Sequence, residues 1–516
     1  MLRNVRYGLQ LVRIGWVLGR HDALFGLTAL GAPGPVLLLA RTVAKKSNLR
    51  RGVRLANALQ ALGPSFIKAG QMLSTRADLI GEDIAADLTV LQDKVPPFST
   101  KLARATIEEQ LESPVSTLFQ QFDEQPHAAA SIAQVHFATT PDGREVAVKI
   151  LRPGVEEAFE RDIDLMYWIA RMAERRLPQY RRLKFVAVVD TFANTIHIET
   201  DLRLEAAAAE ELKHNTRNDP NFHVPAVDWE RTARRVLVTE RIRGISAGNI
   251  EALKEAGIDL NRTMEHAASA FFTQVFRDGF FHADMHPGNL FILPDGRLAP
   301  VDFGIMGRIT KQDQLILAEI LYGFFKGDYL RVARIHREAG WIPPHVSVEQ
   351  FAQAAMAVGQ PIMGKALNEI SVGRLIGQLL SIANQFEMET QPQLLLLQKT
   401  MMTAEGVGRG LNPAVNMWKL SEPLIEQWAT ENFSIASRAK LYAQEVRETL
   451  AEAPRVLREA RDFLVDVKRQ GITLSPQSMA QLAEQRAAHH RAWMRLGWAA
   501  TLTFAAGFAL LAWELL

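Results

Sequence analysis

The sequence predicts an α+β fold with two lobes, preceded and followed by helical segments. Strand-like segments are concentrated in residues 116–245, amphipathic helix dominates after Gly304, and a compact polar motif at residues 282–304 lies between these regions. Strands gathered in one part of a chain and helices in another are typical of α+β enzymes. We therefore expect a strand-rich first lobe and a helical second lobe.

Length and composition describe an ordinary globular chain and exclude several classes of function. The chain has 516 residues, of which 48% are hydrophobic and 22% charged, and its formal net charge is +2. At roughly 150 residues per domain, this length suits about two to four domains. No concentrated basic face is evident, so no nucleic-acid partner is predicted. The absence of cysteine excludes disulfides, thiolate nucleophiles and cysteine-bound zinc.

Residues 1–115 are predicted to form a helical N-terminal extension. Within it, Lys68, Gly70 and Gln71 fall in an otherwise apolar helix. Lysine and glutamine on an apolar face are costly unless they are paired, which predicts polar partners for both. The alternative is a plain amphipathic helix whose lysine reaches out to solvent.

A β-hairpin with a lysine in its second strand is predicted in the first lobe. The segments QVHFATT and REVAVKIL flank the turn PDG, and Lys149 lies in the alternating second strand. In nucleotide kinases a lysine at this place reaches the α- and β-phosphates and pairs with a glutamate on a helix. The alternative is an edge-strand lysine that points into solvent.

Three acidic residues are candidate partners of this lysine. The second of two predicted helices, at about residues 186–217, contains Glu199, Asp201 and Glu205. With 3.6 residues per turn, Glu199 and Glu205 would occupy distinct but overlapping parts of one helix face. A solvated acidic face is the alternative for each of them.

An alanine-rich segment lies one strand before the lysine. Where a protein kinase has G-x-G-x-x-G over the phosphates, this chain has Ala128, Ala129, Ala130 and Ser131. Alanine avoids positive φ, so its backbone amides fold over phosphates less freely than those of glycine, and an alanine run favours helix. The position favours a modified phosphate loop over simple filler between strands.

The stretch HADMHPGNLFILPDGRLAPVDFG, residues 282–304, is the most informative part of the chain. Phosphoryl transfer from a nucleotide requires a carboxylate that orients the attacking oxygen, together with oxygen ligands for magnesium. The order H-x-D-x-x-x-x-N and then D-F-G supplies both, with Asp284 as the catalytic carboxylate and Asn289 and Asp302 as magnesium ligands. His282 is expected to brace the loop by hydrogen bonding. A plain turn built from Asp, Asn, Pro and Gly is the alternative.

Residues 246–485 are predicted to form a helical second lobe and further helices, followed by an uncharged apolar segment at 496–513. Its 18 residues would span about 27 Å as a helix, close to the hydrocarbon thickness of a bilayer. Arg491 and Arg495 before it, and tryptophans near its ends, predict a single C-terminal transmembrane helix with the body on the cytoplasmic side. A buried core helix or an oligomer contact, and with it a homodimer, is the alternative.

Together these segments resemble the UbiB family, also called the ABC1 or ADCK family, of atypical kinase-like proteins. The similarity runs from roughly residue 50 to residue 310. The family's K-x-G-Q motif is matched by Lys68 to Gln71, its alanine-rich loop by Ala128 to Ser131, and its strand lysine by Lys149. Its E-x-D motif is matched by Glu199 to Asp201, its catalytic-loop pair by Asp284 and Asn289, and its DFG aspartate by Asp302.

The resemblance implies a protein-kinase-like fold with the K-x-G-Q extension laid over the site, where it would block a protein substrate. It implies that Lys68 contacts Glu199 or Asp201, and that these residues, with Gln71, regulate the site. Glu205 would be the helix partner of the strand lysine.

The resemblance further implies ATP and Mg2+ as cofactors and slow ATP hydrolysis in support of ubiquinone biosynthesis. Membrane lipids, quinone precursors and other ubiquinone-biosynthesis proteins would be partners. By similarity to bacterial members, the protein would lie at the inner membrane with its kinase-like domain on the cytoplasmic side.

Two other functions are left open by the sequence. Aminoglycoside and choline kinases share the H-x-D-x-x-x-x-N turn, which would suit a small-molecule kinase, and a non-catalytic scaffold could use the same shape. No A-P-E motif follows Gly304, and HAD replaces HRD, which argues against ordinary protein-kinase activity. An ATPase or kinase is favoured because a scaffold has no physical need of complete phosphate and magnesium machinery.

Overall fold

The computed structural model describes residues 2–25, 47–74, 80–88, 91, 96–176, 185–361, 378, 382, 383, 385–388, 392–411, 423, 424, 426 and 428. All of them belong to the first of two compact units, Met1–Thr430. The predicted transmembrane helix at 496–513 lies outside the described residues. Within the described part of the chain, no helix has both the length and the apolar character needed to cross a bilayer.

The described part of the N-terminal extension is helical, as predicted. Helices α2, α3 and α4 pack on one another and α1 packs on α2, around a buried cluster that includes Leu18, Leu59 and Leu88. The bounds are α1 Leu2–Arg20, α2 Arg51–Leu62, α3 Pro64–Ser74, α4 Glu82–Leu88, α5 Thr100–Leu111 and α6 Val115–Leu118.

A five-stranded antiparallel sheet forms the first lobe. Strand β3 pairs with β1 and β2 on one side and with β4 on the other, and β4 pairs with β5. Alternate residues of β4, Val146, Val148 and Ile150, are buried against Ala103 and Ile107 of α5, so Lys149 is on the opposite face. The bounds are β1 Gln121–Phe122, β2 Ala128–Ala129, β3 Ala133–Thr139, β4 Glu145–Leu151 and β5 Val236–Glu240.

Three helices, α7 Val155–Arg176, α8 Phe185–Glu199 and α9 Leu202–Asn215, cover the opposite face. The prediction of one helix at 186–217 is wrong, because the chain breaks between α8 and α9. Asp201 caps α9 through a hydrogen bond from the Arg203 N–H at 3.1 Å. Aspartate side chains compete with helical backbone bonds and are favoured at N-caps. The glutamates expected to share one helix therefore lie on two.

The second lobe begins with two short helices and a small sheet. Strands β8 and β9 form an antiparallel hairpin that β6 extends, while β7 pairs with β10. In the first lobe, a 3₁₀ turn at Trp229–Arg231 precedes β5. The bounds are β6 Ile245–Ser246, α10 Ile250–Glu255, α11 Leu260–Phe272, a π-helix at Thr273–Asp278, β7 Phe280–His282, β8 Leu290–Ile292, β9 Leu298–Pro300 and β10 Met306–Arg308.

Helices follow β10 immediately. Thr310 caps the first of them by accepting the Asp313 N–H, so only β10 and its flanking residues separate Gly304 from this helix. No long segment follows the DFG motif here. The bounds are α12 Lys311–Lys326, α13 Tyr329–Glu338, α14 Val348–Gly359 and α15 Pro392–Leu411.

Candidate active site

Lys149 lies at the centre of a group of charged side chains between the two lobes. Its Nζ donates to both carboxylate oxygens of Glu205, at 2.6 and 2.8 Å, and lies 3.4 Å from Oδ2 of Asp302. The lysine comes from β4, the glutamate from the first turn of α9, and the aspartate from the loop after β9. The edge-strand alternative is therefore wrong, because this lysine faces carboxylates and not open solvent.

The charge state of this group follows from its surroundings. Burial opposes the charge of Lys149, but Asp302 and Glu205 outweigh that effect and raise the lysine pKa. Burial raises the pKa of Glu205 to about 7, against the lowering effect of Lys149. Partial burial also opposes the charge of Asp302, but Lys149 and the Gly304 N–H hold its pKa at about 2. At neutral pH the lysine is a cation and the aspartate an anion, as binding of phosphates and magnesium requires.

The β8–β9 hairpin brings Asn289 and Asp302 to one end of the loop. The Val301 N–H donates to the carbonyl oxygen of Asn289 at 3.0 Å, which brings together the residues just before β8 and just after β9. The Asn289 Nδ2 donates to Oδ2 and to the carbonyl oxygen of Asp284, at 3.3 and 3.4 Å. Because its nitrogen faces Asp284, the Asn289 Oδ1 is the atom that can bind a cation.

His282 braces the loop as the sequence predicted. Its Nδ1 accepts the Asp284 N–H at 3.2 Å, and its Nε2 donates to the carbonyl oxygen of Asp302. Burial lowers the pKa of His282, so the ring is neutral and this division of donor and acceptor is maintained. One side chain thus joins the backbone of the catalytic loop to that of the DFG motif.

The alanine-rich segment is a strand and a turn, so the helix that an alanine run favours does not form. Ala128 and Ala129 are strand β2, and the Ala130 N–H donates to the Ala133 carbonyl oxygen at 2.8 Å. None of the four residues Ala128 to Ser131 has positive φ. Ala128 pairs with Val135, which pairs with Lys149, so the segment lies about 10 Å from the lysine along one row of the sheet. Strand pairing overrides local propensity here.

The N-terminal extension reaches the site through a second ion pair. Lys68 of α3 lies 3.0 Å from Oε2 of Glu199 at the end of α8, and both side chains are largely buried. Of the two contacts that the resemblance implied, this is the one present as an ion pair. Asp201 instead caps α9 and pairs with Arg203 at 2.6 Å. Lys68 is also near enough to contribute to the lowered pKa of Asp302.

The other two residues of the K-x-G-Q motif hold the extension together. The Gln71 Nε2 donates to the carbonyl oxygen of Leu91 at 3.2 Å. A Cβ at Gly70 would lie 2.4 Å from Cδ1 of Leu91 and 2.7 Å from Cδ1 of Leu59. The glycine is thus required for close packing within the extension, while Lys68 and the neighbouring Ala69 face the helices of the first lobe.

Two buried side chains that support the 282–284 backbone were not predicted from the sequence. The buried Gln274 accepts the His282 N–H at 3.1 Å, and the buried Thr400 hydroxyl lies 3.2 Å from the Ala283 carbonyl oxygen. A glutamine inside the apolar run AFFTQVF is a local signal that could have revealed the first contact. The second has no local signal, because its partners are 117 positions apart.

The donor set fits magnesium better than a transition metal. The described residues contain no group of three or more His, Cys, Asp and Glu side chains that could hold a metal ion. Magnesium takes one or two protein oxygens and keeps several waters and phosphate oxygens. The Asn289 Oδ1 and the partly exposed Asp302 carboxylate provide that number of ligands, beside a lysine that can contact phosphate.

Fold and site first define a class, the atypical kinase-like proteins. Residues 90–336 match the ABC1 atypical kinase-like domain, and residues 355–416 match the UbiB helical domain. The solved structure of the Rv3197–erythromycin complex from Mycobacterium tuberculosis has a TM-score of 0.51 and 27% identity to this chain, covering 69% of this chain and 90% of that one.

Curated relatives identify the family within this class. A protein of Marinobacter nauticus named probable protein kinase UbiB is 41% identical over 94% of this chain and 91% of its own length. A protein of Azotobacter vinelandii with the same name is 43% identical over 89% of this chain and 87% of its own length. The chain belongs to the UbiB family, which the sequence motifs predicted.

Proposed function

We propose that this protein is a membrane-associated atypical kinase or ATPase that binds Mg-ATP and hydrolyses it in support of ubiquinone biosynthesis. Turnover would promote access to, or presentation of, lipid-like quinone precursors. The observation that carries the proposal is the position of the Lys149 Nζ between Glu205 and Asp302, with the Asn289 amide hydrogen bonded to Asp284. The name UbiB, carried by the relatives, supports the link to ubiquinone.

Each side chain of the site has one part in this activity. Bound Mg-ATP supplies the phosphoryl group that is transferred. Asn289 and Asp302 would hold the magnesium ion, and Lys149 would contact the α- and β-phosphates while Glu205 orients it. Asp284, aligned by the Asn289 amide, would orient the attacking oxygen and accept its proton.

Water is a better candidate acceptor than a protein side chain. The short connection from Gly304 to the α12 cap provides no platform on which an extended peptide could lie. On the other side, Lys68 ties the extension to Glu199 beside the site. The proposed role at the inner membrane, with lipids, quinone precursors and other biosynthetic proteins as partners, rests on the apolar segment 496–513 and on the family.

The decisive experiment measures Mg-dependent ATP binding to the full chain by titration calorimetry. Asp302→Asn should abolish the magnesium-dependent part of binding. Asp295→Asn is the matched control, because that carboxylate is in the turn of the same β8–β9 hairpin and pairs with Arg297 at 2.7 Å, away from the lysine. Equal magnesium-dependent binding by both variants would contradict the proposal.

A second experiment addresses the pathway. Quinone profiles of a deletion strain rescued by wild type, Lys68→Ala or Asp302→Asn should show restored ubiquinone only where nucleotide chemistry is intact. Full rescue by Asp302→Asn would identify a scaffold. A phosphorylated soluble product would identify a small-molecule kinase.

A further inference from the structure

The backbone N–H groups of residues 282–284 are each paired, two with side chains and one with a backbone carbonyl oxygen. The His282 N–H donates to Gln274 Oε1 at 3.1 Å, and the Ala283 N–H donates to the Ile305 carbonyl oxygen at 3.0 Å. The Asp284 N–H donates to the His282 ring. Buried backbone groups that are paired are expensive to displace, so these partners hold the backbone that carries the Asp284 side chain.

The Ala283 carbonyl oxygen is the one group in this set that is held by α15. The Thr400 hydroxyl lies 3.2 Å from it and 2.9 Å from the carbonyl oxygen of Leu396, one turn earlier in the same helix. A threonine in a helix commonly bonds to the carbonyl four residues before it, and here the one hydroxyl hydrogen is shared between that carbonyl and the Ala283 carbonyl oxygen. Thr400 is completely buried, so water cannot replace either contact.

The packing at this point depends on an alanine where a protein kinase has arginine. Ala283 has no exposed surface and lies in one cluster with Phe281, Ile309 and Leu397 of α15. The middle residue of H-R-D in protein kinases is a long cation, for which this cluster has no space. The exchange of arginine for alanine therefore lets α15 approach the loop.

Helix α15 belongs to a different part of the chain from the loop that it contacts. The loop is within residues 90–336, matched by the kinase-like domain, whereas Thr400 is within residues 355–416, matched by the helical domain. The Thr400 hydroxyl contact and the packing of Leu397 thus connect the helical domain directly to Ala283.

We propose that Thr400 is a positioning residue that couples the helical domain to the catalytic carboxylate. By holding the Ala283 carbonyl oxygen, it keeps Asp284 in the orientation needed for turnover, and a displacement of α15 releases that residue. The inference rests on the proposed function for its catalytic consequence, but the contact itself can be tested without turnover.

The test compares Thr400→Val, which is nearly isosteric but lacks the hydroxyl, with Thr400→Ser, which keeps it. Thr106→Val is the matched control, because Thr106 is a buried helix threonine that donates to the Leu102 carbonyl oxygen at 3.0 Å, far from the loop. The quantities to measure are kcat for ATP hydrolysis, the Kd for Mg-ADP and hydrogen exchange of the peptide covering residues 281–290.

Thr400→Val should raise exchange in this peptide and lower kcat about fivefold, with the Kd unchanged and thermal stability equal to that of Thr106→Val. Thr400→Ser, which keeps the hydroxyl, should have the hydrogen exchange and the kcat of wild type. If Thr400→Val matches Thr106→Val in exchange and in kcat, the inference is overturned. If wild type has no turnover, exchange alone decides, so failure of the proposed function and failure of the inference give different results.

Discussion

Two lysine–glutamate pairs involve the helices on either side of the break between α8 and α9. The Lys149–Glu205 pair belongs to the candidate site, and the Lys68–Glu199 pair joins the N-terminal extension to the first lobe. Lys149 and Glu205 have side-chain exposures of 19% and 7%, and Lys68 and Glu199 have 13% and 7%. Because burial is so similar, the difference lies in the neighbours. The first pair has two hydrogen bonds and faces Asp302, whereas the second pair joins α3 to α8.

The Lys149–Glu205 pair is part of the candidate site, whereas the Lys68–Glu199 pair attaches the N-terminal extension beside it. Lys149 and Glu205 are both within the residues matched by the kinase-like domain, while Lys68 is N-terminal to that match. Losing the first pair should therefore remove nucleotide chemistry, and losing the second should loosen the extension while the phosphate machinery stays intact. Each of the following variants tests or refines this distinction.

The largest effect is expected for Lys149→Met. It removes the proposed phosphate contact, so Mg-ATP binding should be lost, and it leaves Glu205 and Asp302 without the cation between them. Breaking a buried pair in this way costs about 3–5 kcal/mol of unfolding free energy. Calorimetric binding and urea unfolding at pH 8 measure the two effects.

The pH dependence of this variant has a definite sign. Lys149 lowers the pKa of Glu205, so its removal should move that pKa further above the unfolded value of about 4.3. The folded state then keeps a proton that the unfolded state releases, so stability is greatest at low pH and falls as pH rises through the folded pKa. The loss should be smaller at pH 6 than at pH 8, and Lys149→Met with Glu205→Gln should remove the difference. Equal losses at both pH values would show that Glu205 does not take up the proton.

A smaller effect is expected when the second pair is broken by Lys68→Met. Glu199 then lies buried without this cation, which should lower the free energy of unfolding by about 3 kcal/mol and expose α3 to proteolysis. A double-mutant cycle with Glu199→Gln should give a coupling energy of about 1–3 kcal/mol. Mg-ATP binding should survive. Complete loss of Mg-ATP binding in Lys68→Met, as expected for Lys149→Met, would show that both pairs are needed for nucleotide binding.

Gly70→Ala tests whether the extension is held by packing as well as by charge. The new Cβ would overlap the side-chain ends of Leu59 and Leu91, and overpacking of this kind costs about 1–3 kcal/mol. Gly8→Ala in α1 is the control, since a Cβ there meets nothing within 4 Å and alanine favours helix. Thermal unfolding of both should show a loss for the first and no loss for the second. A loss equal in both would place the effect in the helix backbone and not at the contact.

Local patterns predicted the parts of the site that are close together in sequence. The β3–β4 hairpin follows from alternation around PDG, and the β8–β9 hairpin, with its polar residues, follows from turn chemistry and motif order. Each requires only neighbours within about twenty residues, so the sequence holds the necessary information.

Three features were not predicted in this way, for different reasons. The alanine run forms β2 because β3 offers it backbone partners, which local propensity cannot represent. The approach of α15 to Ala283 depends on packing between distant segments. The break before α9 did have a signal, since Asp201 is a favoured N-cap residue, but the charged run around it resembles a continuous helix.

The smallest effect is expected at that break, for Asp201→Ala. The variant removes the cap on Arg203 N–H and the ion pair with the Arg203 side chain, a loss of about 1 kcal/mol in unfolding free energy. Asp259→Ala is the control, because its carboxylate caps α11 through two backbone N–H groups away from both pairs. If Asp201 acts only as a cap, both variants should lose similar stability and keep Mg-ATP binding within about twofold. A loss above about 3 kcal/mol, or a tenfold fall in affinity, for Asp201→Ala alone would show that the aspartate takes part in one of the two lysine pairs.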